Sequence, residues 1–247
     1  MHPIFFEIGP FTIRSYGVLV AVGFFTAFSL LYLEAKKENF YPQQILDLEF
    51  LILAFGLIGA RALHILVNLD FYAKNPVSIF FIWRGGLAFI GGFGLAILAC
   101  AVFTARKRLP FWKIADFAAP YMALGHAIGR IGCFFNGCCF GRPAVWPFPG
   151  VIFPGEAVYR HPTQLYASFA LVCIFVILKL AGERRHARGT IFTLYLSLYS
   201  GQRFIIDFLR GDNPTYAFGL TISQFICVFI FAASMYLLVF LRKGNAK

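Results

Sequence analysis

Residues 125–143, GHAIGRIGCFFNGCCFGRP, bring together side chains typical of a binding site for an anion. Arg130 and Arg142 stand beside several glycines, three cysteines and Asn136, directly after the apolar residues 114–124. A charged side chain at the end of a membrane segment is costly and is usually functional. A guanidinium group donates two parallel hydrogen bonds to a phosphate, and glycine lets the backbone approach a ligand closely. The stretch therefore predicts an anion-binding corner at a membrane surface.

The segment SGQRFIIDFLRGDNP places Arg203, Asp207 and Arg210 at spacings of four and three, which puts them on one helical face. Two arginines around one carboxylate leave a net positive charge. A face of this kind that meets Arg130 would bind a phosphate and stabilise the negative charge that develops on a leaving group. The alternative is that the three side chains form only a structural ion-pair network.

A third polar segment, YRHPTQLY, places His161 beside Arg160, Gln164 and Tyr166 at the expected start of a helix. Pro162 suits the first position of that helix. The charge of histidine changes near neutral pH, so His161 is a candidate general base. The alternative is that His161 or Gln164 only caps the helix.

Three of the six cysteines lie close together in the sequence, since Cys138 and Cys139 are adjacent and Cys133 is five residues before Cys138. A disulfide is one interpretation, and a zinc site with His161 or His126 is another. The chain has no CxxC spacing in this region, which disfavours both a recognised zinc motif and a thiol oxidoreductase. We therefore expect structural or incidental cysteines and no metal. The other three lie in apolar runs, where they resemble small hydrophobic residues: Cys100, Cys173 and Cys227.

Composition indicates the elements that must position these side chains. The 247 residues are 60% hydrophobic and only 13% charged, and 32 are Phe, which excludes an ordinary soluble domain. About seven apolar runs are long enough, at roughly 20 residues each, to cross a bilayer as helices. The sequence predicts an all-α polytopic membrane protein with residues 1–247 as one integral domain. The expected spans are residues 16–33, 47–67, 79–104, 114–131, 164–180, 190–206 and 220–241.

The basic residues predict the orientation of these spans. The loops after Glu34, Ala105 and Gly182 and the C-terminus carry mixed Lys and Arg, which makes that side cytoplasmic. The N-terminus is then outside, and residues 132–162 form a proline-rich, irregular outer excursion between spans four and five. Because the net charge of +11 is divided among short clusters between spans, it indicates topology and not nucleic acid.

The basic residues on the outer side are eight Arg and one Lys. Topology requires only charge, whereas phosphate recognition favours the planar fork of arginine, so an outer-leaflet phospholipid head group is the expected ligand. The alternative is pairing with Asp70, Glu156, Asp207 or Asp212, or snorkelling, which we favour for Arg14, Lys74 and Arg84. The set is Arg14, Arg61, Lys74, Arg84, Arg130, Arg142, Arg160, Arg203 and Arg210.

Four segments taken together resemble the prolipoprotein diacylglyceryl transferases over nearly the whole chain. They are SYG before the first span, GRIGCFFNGCCFGRP, RHPTQLY and RFIIDFLR. The resemblance implies transfer of the diacylglyceryl group of phosphatidylglycerol to the lipobox cysteine of a preprolipoprotein signal peptide, with release of glycerol 1-phosphate. It also implies a bacterial inner membrane, an active site toward the outer side, and no metal or soluble cofactor.

The resemblance assigns roles at matching positions. Arg130 matches the arginine that binds the lipid head group, and Arg203 matches a second arginine essential for transfer. The catalytic set is then Arg203, Arg130, His161 and Tyr16. The lipid-binding set is Arg130, Asn136, Gly141 and Arg210.

Three positions depart from the family pattern. Many members have His where this chain has Ile90, Asn at the position of Cys133 and Glu at that of Cys138. Isoleucine cannot accept a proton, so either His161 is the base, or the positive field activates the thiol, or this homologue is inactive or altered. A transporter or flippase of anionic lipid is the alternative class, because the glycines in residues 85–94 suggest a broken span. Those glycines either make room for acyl chains or let helices pack closely.

Overall fold

The protein is described from a computed structural model that covers residues 4–8, 11–35, 37, 40–81, 85–145, 150–211 and 214–245. Arg84 and Asp212 lie outside these residues. Arg84 was predicted to pair with a carboxylate or to snorkel, and Asp212 was one of the predicted carboxylate partners. Within them, seven helices of at least 18 residues coincide with the seven predicted spans. They are α1 (Ser15–Ala35), α2 (Pro42–Val67), α4 (Phe89–Arg106), α5 (Phe111–Asn136), α6 (Thr163–Gly182), α7 (Thr190–Leu209) and α8 (Ile222–Asn245).

Shorter elements accompany these helices. A six-residue helix α3 (Leu69–Lys74) and a 3-10 turn (Pro76–Phe80) follow α2. Strands β1 (Ile4–Ile8) and β2 (Phe11–Arg14) pair antiparallel ahead of α1. The fold is thus mostly helical, and the hairpin is the one departure from the all-α prediction among the described residues.

Length and composition qualify four helices as candidate membrane spans: α1, α2, α6 and residues Ile222–Leu241 of α8. The apolar part of α4, Ile90–Arg106, is shorter, and α5 and α7 carry the charged residues discussed below. These apolar helices fit a multi-pass membrane protein.

Two predicted spans had the wrong limits. Span three was expected from residue 79, but its helix begins at Phe89 and then runs without a break through Gly91, Gly92 and Gly94. Span four was expected to end near residue 131, but α5 continues to Asn136, so Arg130 lies on a regular helix. Gly91 and Gly92, which suggested irregular backbone, instead allow close packing between helices.

The contacts divide the chain into two compact units, residues 1–30 with 112–247 and residues 31–111. In the first unit, α5, α6 and α7 form a core. Ala119, Ala123 and Ala127 recur every four residues on α5 and present a smooth face to Leu171 and Ile191. On its other side α5 approaches α1 closely, because a Cβ at Gly23 would lie 2.6 Å from the carbonyl oxygen of Gly125.

In the second unit, α2 and α4 cross at glycines. A Cβ on Gly91 would lie 2.3 Å from the carbonyl oxygen of Gly59, which leaves no room for a side chain at this crossing. The glycines of α4 that face α2 therefore serve helix packing and do not form an acyl-chain cavity. Of the predicted break at residues 85–94, residues 85–88 are non-helical, whereas α4 is a continuous helix from Phe89 onward.

Arg61 has a structural role in this unit. It is buried, and its guanidinium donates to the carbonyl oxygens of Ser78 at 2.6 Å and Gly85 at 2.8 Å. Gly85 and Gly86 have φ of +90° and +77°, a backbone region that favours glycine. Arg61 thus holds the backbone ahead of α4 in place, a role that neither the predicted phosphate binding nor the predicted carboxylate pairing described.

Candidate functional site

The end of α7 carries a compact charge network. The carboxylate of Asp207 is fully buried, and its Oδ1 lies 2.9 Å from Nη2 of Arg203 and 3.9 Å from Nε of Arg210. The hydroxyl of Thr221 donates to Oδ2. These contacts confirm the predicted association of the three charged residues and leave the network with one net positive charge.

Arg210 reaches this network from outside the helix. It follows the last residue of α7 in an extended conformation, with φ −76° and ψ 144°, and it pairs with Gly141 as a β-bridge. The prediction that Arg210 continues the helical face was therefore wrong in geometry. The side chain still reaches Asp207 because Arg210 caps the helix, with its N–H donating to the carbonyl oxygen of Asp207 at 3.2 Å.

Arg130 belongs to the same electrostatic site. The charge of Arg203 interacts with those of both Arg130 and Arg210. One turn before Arg130, the ring of His126 lies 5.3 Å from the ring of Tyr199, which is one turn before Arg203. Thus α5 and α7 face each other at these rings, and the next turn of each helix holds an arginine.

Gly141 joins the excursion to α7. Its N–H donates to the carbonyl oxygen of His161 at 2.8 Å, and the N–H of Arg142 donates to that of Leu209 at 2.7 Å. A Cβ on Gly141 would lie 2.7 Å from the Leu209 oxygen and 2.8 Å from Cβ of His161. Any side chain here would push apart the backbone that carries Arg210.

His161 is 8% exposed, and its Nδ1 lies 3.4 Å from the hydroxyl of Tyr166. Its backbone pairs with Gly141 and Arg142. The described contacts therefore place this histidine among the residues that tie the excursion to α6. Pro162 was predicted to be the first residue of α6. It instead precedes the first residue, Thr163, as the N-cap.

Arg160 fits the structural interpretation. Its Nε lies 2.7 Å from Glu156 Oε2, and its guanidinium lies 5.2 Å from the ring centroid of Phe140. Pairing with Glu156 was one of the alternatives to phosphate binding, and it is confirmed for this arginine.

Tyr16 lies near Arg130 and the cysteines, and Asn136 lies beside Cys138. The phenol of Tyr16 interacts electrostatically with Arg130 and with the three thiols. The backbone of Tyr16 is close to α5, because a Cβ on Gly132 would lie 3.3 Å from its carbonyl oxygen. The side chain of Asn136 hydrogen-bonds to Cys138.

The end of α5 explains why the three cysteines meet. Gly137 has φ +71°, its N–H donates to the carbonyl oxygen of Phe134, and the N–H of Cys138 donates to that of Cys133. This is a Schellman motif, in which the second residue past the helix end lies over the last turn. The sulfurs of Cys133, Cys138 and Cys139 all lie within 4.8 Å of one another.

All three of these thiols are free in the structure. Hydrogen bonds from Cys133 and Cys139 lower the pKa of the Cys138 thiol, and a hydrogen bond with Asn136 lowers it further. The amide of Gln164 donates to the Cys138 carbonyl at 2.6 Å, and the hydroxyl of Thr163 donates to the Cys139 carbonyl at 2.7 Å. The start of α6 therefore holds the cysteine turn in a defined position.

Ile90 lies in the second compact unit, at the second residue of α4, and is 77% exposed. The side chain that replaces the family histidine thus packs little against its own unit.

Sequence reasoning missed the residues that fix Asp207 and Arg203. Ser223 Oγ accepts a hydrogen bond from Arg203 Nε at 3.2 Å, and Thr221 donates to Asp207. A signal existed, because Thr221 and Gln224 form a T-x-x-Q capping box at the start of α8. The Thr221 N–H donates to Gln224 Oε1 at 2.9 Å, and the Gln224 N–H donates to Thr221 Oγ1 at 3.2 Å.

Comparison with known proteins decides the family. The profile described as prolipoprotein diacylglyceryl transferase matches residues 3–240, nearly the whole chain. This chain belongs to the prolipoprotein diacylglyceryl transferase family.

Three bacterial relatives of this transferase family illustrate the similarity, and each carries the name phosphatidylglycerol--prolipoprotein diacylglyceryl transferase. The Nostoc relative is 39% identical, over 85% of this chain and 79% of its own length. The relative from Finegoldia magna is 34% identical, over 100% and 98%. The relative from Bacillus velezensis is 33% identical, over 100% and 94%.

Proposed function

We propose that this protein transfers the diacylglyceryl group of phosphatidylglycerol to the lipobox cysteine thiol of a preprolipoprotein. The observation that carries the proposal is the pairing of Arg203 and Arg210 with the buried carboxylate of Asp207, with Arg130 near enough to interact electrostatically with Arg203, in a member of this transferase family. A cluster with net positive charge suits an anionic head group and the phosphate that leaves.

The proposed reaction forms one bond and breaks one. The lipobox sulfur attacks the glycerol carbon that bears the phosphate, the C–O bond breaks, and its electron pair stays on the departing glycerol phosphate. Arg203 and Arg130 stabilise the charge on the phosphate oxygens, and Tyr16 lies beside them. The thiol loses its proton, for which His161 is the proposed acceptor, and the positive field favours the thiolate.

Binding of the lipid head group is assigned to four residues. Arg130 and Arg210 supply charge, Asn136 supplies an amide, and Gly141 allows the close backbone contact that positions Arg210. All four positions match the family motifs or the charge network described above.

The proposed setting is the bacterial inner membrane. Seven helices span it with the N-terminus outside and the C-terminus in the cytoplasm, and the site faces the outer side. The partners are phosphatidylglycerol, the surrounding membrane lipid and the signal peptide of the lipoprotein precursor.

The deciding experiment uses the purified full-length protein, phosphatidylglycerol labelled in its acyl chains, and a lipobox peptide. Formation of a labelled thioether peptide by the wild type, and its loss in Arg203→Ala, would support the proposal. A peptide with Ser in place of the lipobox Cys is the control. A wild type that binds phosphatidylglycerol but never labels the Cys peptide would overturn the assignment.

The same assay tests His161. We expect His161→Gln to retain the hydrogen bond to Tyr166 but to lose most of its transfer activity, with partial recovery at higher pH, where the thiol ionises unaided. Unchanged transfer by His161→Gln at neutral pH would exclude it as the base and leave activation to the arginines.

A further inference from the structure

We propose that Cys133, Cys138 and Cys139 form a binding site for Zn²⁺, or for a similar soft d¹⁰ cation, in which all three protein ligands are thiolates. This inference does not depend on the proposed transferase activity. It differs from the expectation drawn from sequence, which found no metal-binding spacing.

The distances between the sulfurs suit such an ion. Zn–S bonds of about 2.3 Å hold two sulfurs about 3.8 Å apart in a tetrahedral site. The sulfurs of Cys138 and Cys139 are 3.8 Å apart, and each of the three lies within 4.8 Å of the other two. The remaining gap is at most about 1 Å for any pair of sulfurs.

The backbone around the cysteines is held in advance of any ligand. The Schellman motif places Cys138 over Cys133, and Cys139 adopts φ +63°, a strained value for a residue with a side chain. The buried Thr163 and Gln164 fix the carbonyls of Cys139 and Cys138. Partners of this kind, which orient the ligand residues, accompany well-defined metal sites in proteins.

Charge also favours the assignment. Three thiolates together at the end of an apolar helix would repel one another, whereas a divalent cation reduces their total charge to one negative unit. Arg130 lies one turn before Cys133 on the same helix, close enough to offset that remaining charge. Three protein ligands leave the fourth tetrahedral position for an exogenous ligand such as water.

The spacing explains why the sequence alone does not show the site. Cys133 and Cys138 have the C-x4-C spacing that zinc motifs allow, but those motifs add a second pair of ligands farther along the chain, whereas the third ligand here is the adjacent Cys139. Here one ligand comes from the last turn of α5 and the other two from the turn beyond it. Only the left-handed conformation of Gly137 brings them together.

The test measures the metal content of the full-length protein, purified without a polyhistidine tag under reducing conditions and then loaded with Zn²⁺. We expect about one ion per chain after removal of free metal. Loading with Co²⁺ should produce the intense thiolate-to-cobalt charge-transfer absorption. Cys133→Ser and Cys139→Ser should each lose most of the bound ion and this absorption. Cys173→Ser, which alters an exposed cysteine outside the cluster, should retain both.

Thermal unfolding separates loss of binding from loss of folding. Zn²⁺ should raise the unfolding temperature of the wild type and of Cys173→Ser, but not that of Cys139→Ser. Equal Zn²⁺ binding by wild type and Cys139→Ser would overturn the proposal. Absence of metal binding by the wild type would also overturn it. Formation of a disulfide by the cluster cysteines in the presence of reductant would do the same.

Discussion

Asp207 shows how a single side chain organises the proposed site. Its buried carboxylate contacts Arg203 on α7, Arg210 beyond the helix and Thr221 at the start of α8. A buried charge is tolerated only when such partners compensate it. Asp207 is therefore best described as a positioning residue that holds two arginines in place.

Replacing Asp207 by Asn removes the charge but keeps the shape, and two arginines then face each other without a counter-ion. We expect a loss of about 3–5 kcal/mol of stability, as for other broken buried pairs, together with loss of transfer. Thermal unfolding in detergent measures the first effect.

The matched control is Glu156→Gln, which breaks the partly exposed pair with Arg160. Exposed pairs contribute about 0–1 kcal/mol, so this variant should unfold close to the wild type. Equal unfolding temperatures for Asp207→Asn and wild type would show that the network does not stabilise the fold.

Substitution by lysine tests whether the two proposed catalytic arginines act through the shape of their side chains or only through their charge. Arg130→Lys and Arg203→Lys keep the charge but lose the planar fork. A hydrogen bond to a charged group contributes about 1.5–3 kcal/mol, so we expect the rate of transfer to fall by about tenfold to a hundredfold in each. Arg106→Lys, at the exposed C-terminal end of α4, is the control and should transfer normally. Near-normal transfer by both site variants would refute recognition by the fork.

At the scale of elements, glycines decide where helices approach. Gly59 and Gly91 bring α2 and α4 into backbone contact, and Gly23 and Gly125 do so for α1 and α5. Helices in a bilayer associate largely through such close packing, because lipid is as apolar as their side chains. The glycines that look like helix breakers in the sequence are thus the contact points of the fold.

A methyl group at this crossing should be harmful only where the backbones meet. Gly91→Ala places a Cβ 2.3 Å from the Gly59 oxygen, whereas Gly94 on the same helix has nothing within 4 Å of its Cβ position. We expect Gly91→Ala to lose about 1–3 kcal/mol of stability, while Gly94→Ala should be neutral or slightly stabilising. Unfolding in detergent, compared for the two variants, measures the difference. The same stability for both would show that α2 and α4 do not cross as described.

At the scale of the whole molecule, the number and orientation of the spans remain predictions. The described helices coincide with all seven apolar segments, and four of them qualify as spans by composition alone. α5 and α7 carry the charges of the site, and membrane helices tolerate such residues when these face the protein interior.

Fusions to alkaline phosphatase test this orientation, since the enzyme folds only outside the cytoplasm. Fusion after Asn136, at the end of α5, should be active, and fusion after Gly182, at the end of α6, should be inactive. A fluorescent protein at the C-terminus should mature in the cytoplasm and fluoresce. Active phosphatase after Gly182 would reverse the proposed topology.

Much of this fold could be predicted from the sequence, because a helix that spans a membrane requires a long run of consecutive apolar residues. The apolar runs located every long helix, and the family motifs identified the transferase and the arginines proposed to bind phosphate. The spacing of Arg203 and Asp207 also predicted their ion pair, since residues four apart meet on any helix.

Only the structure decided which backbones lie opposite one another and how the chain runs where a helix ends. The sequence around Gly91 suggests a break in the helix. Gly91 is instead a contact between helices, because Gly59 lies opposite it. Arg210 reaches Asp207 from an extended segment, and the three thiols meet through a left-handed turn at Gly137. The tendency of a residue to form a helix depends on its neighbours in the sequence. The close approach of two helices depends on which backbone lies opposite, and packing determines that.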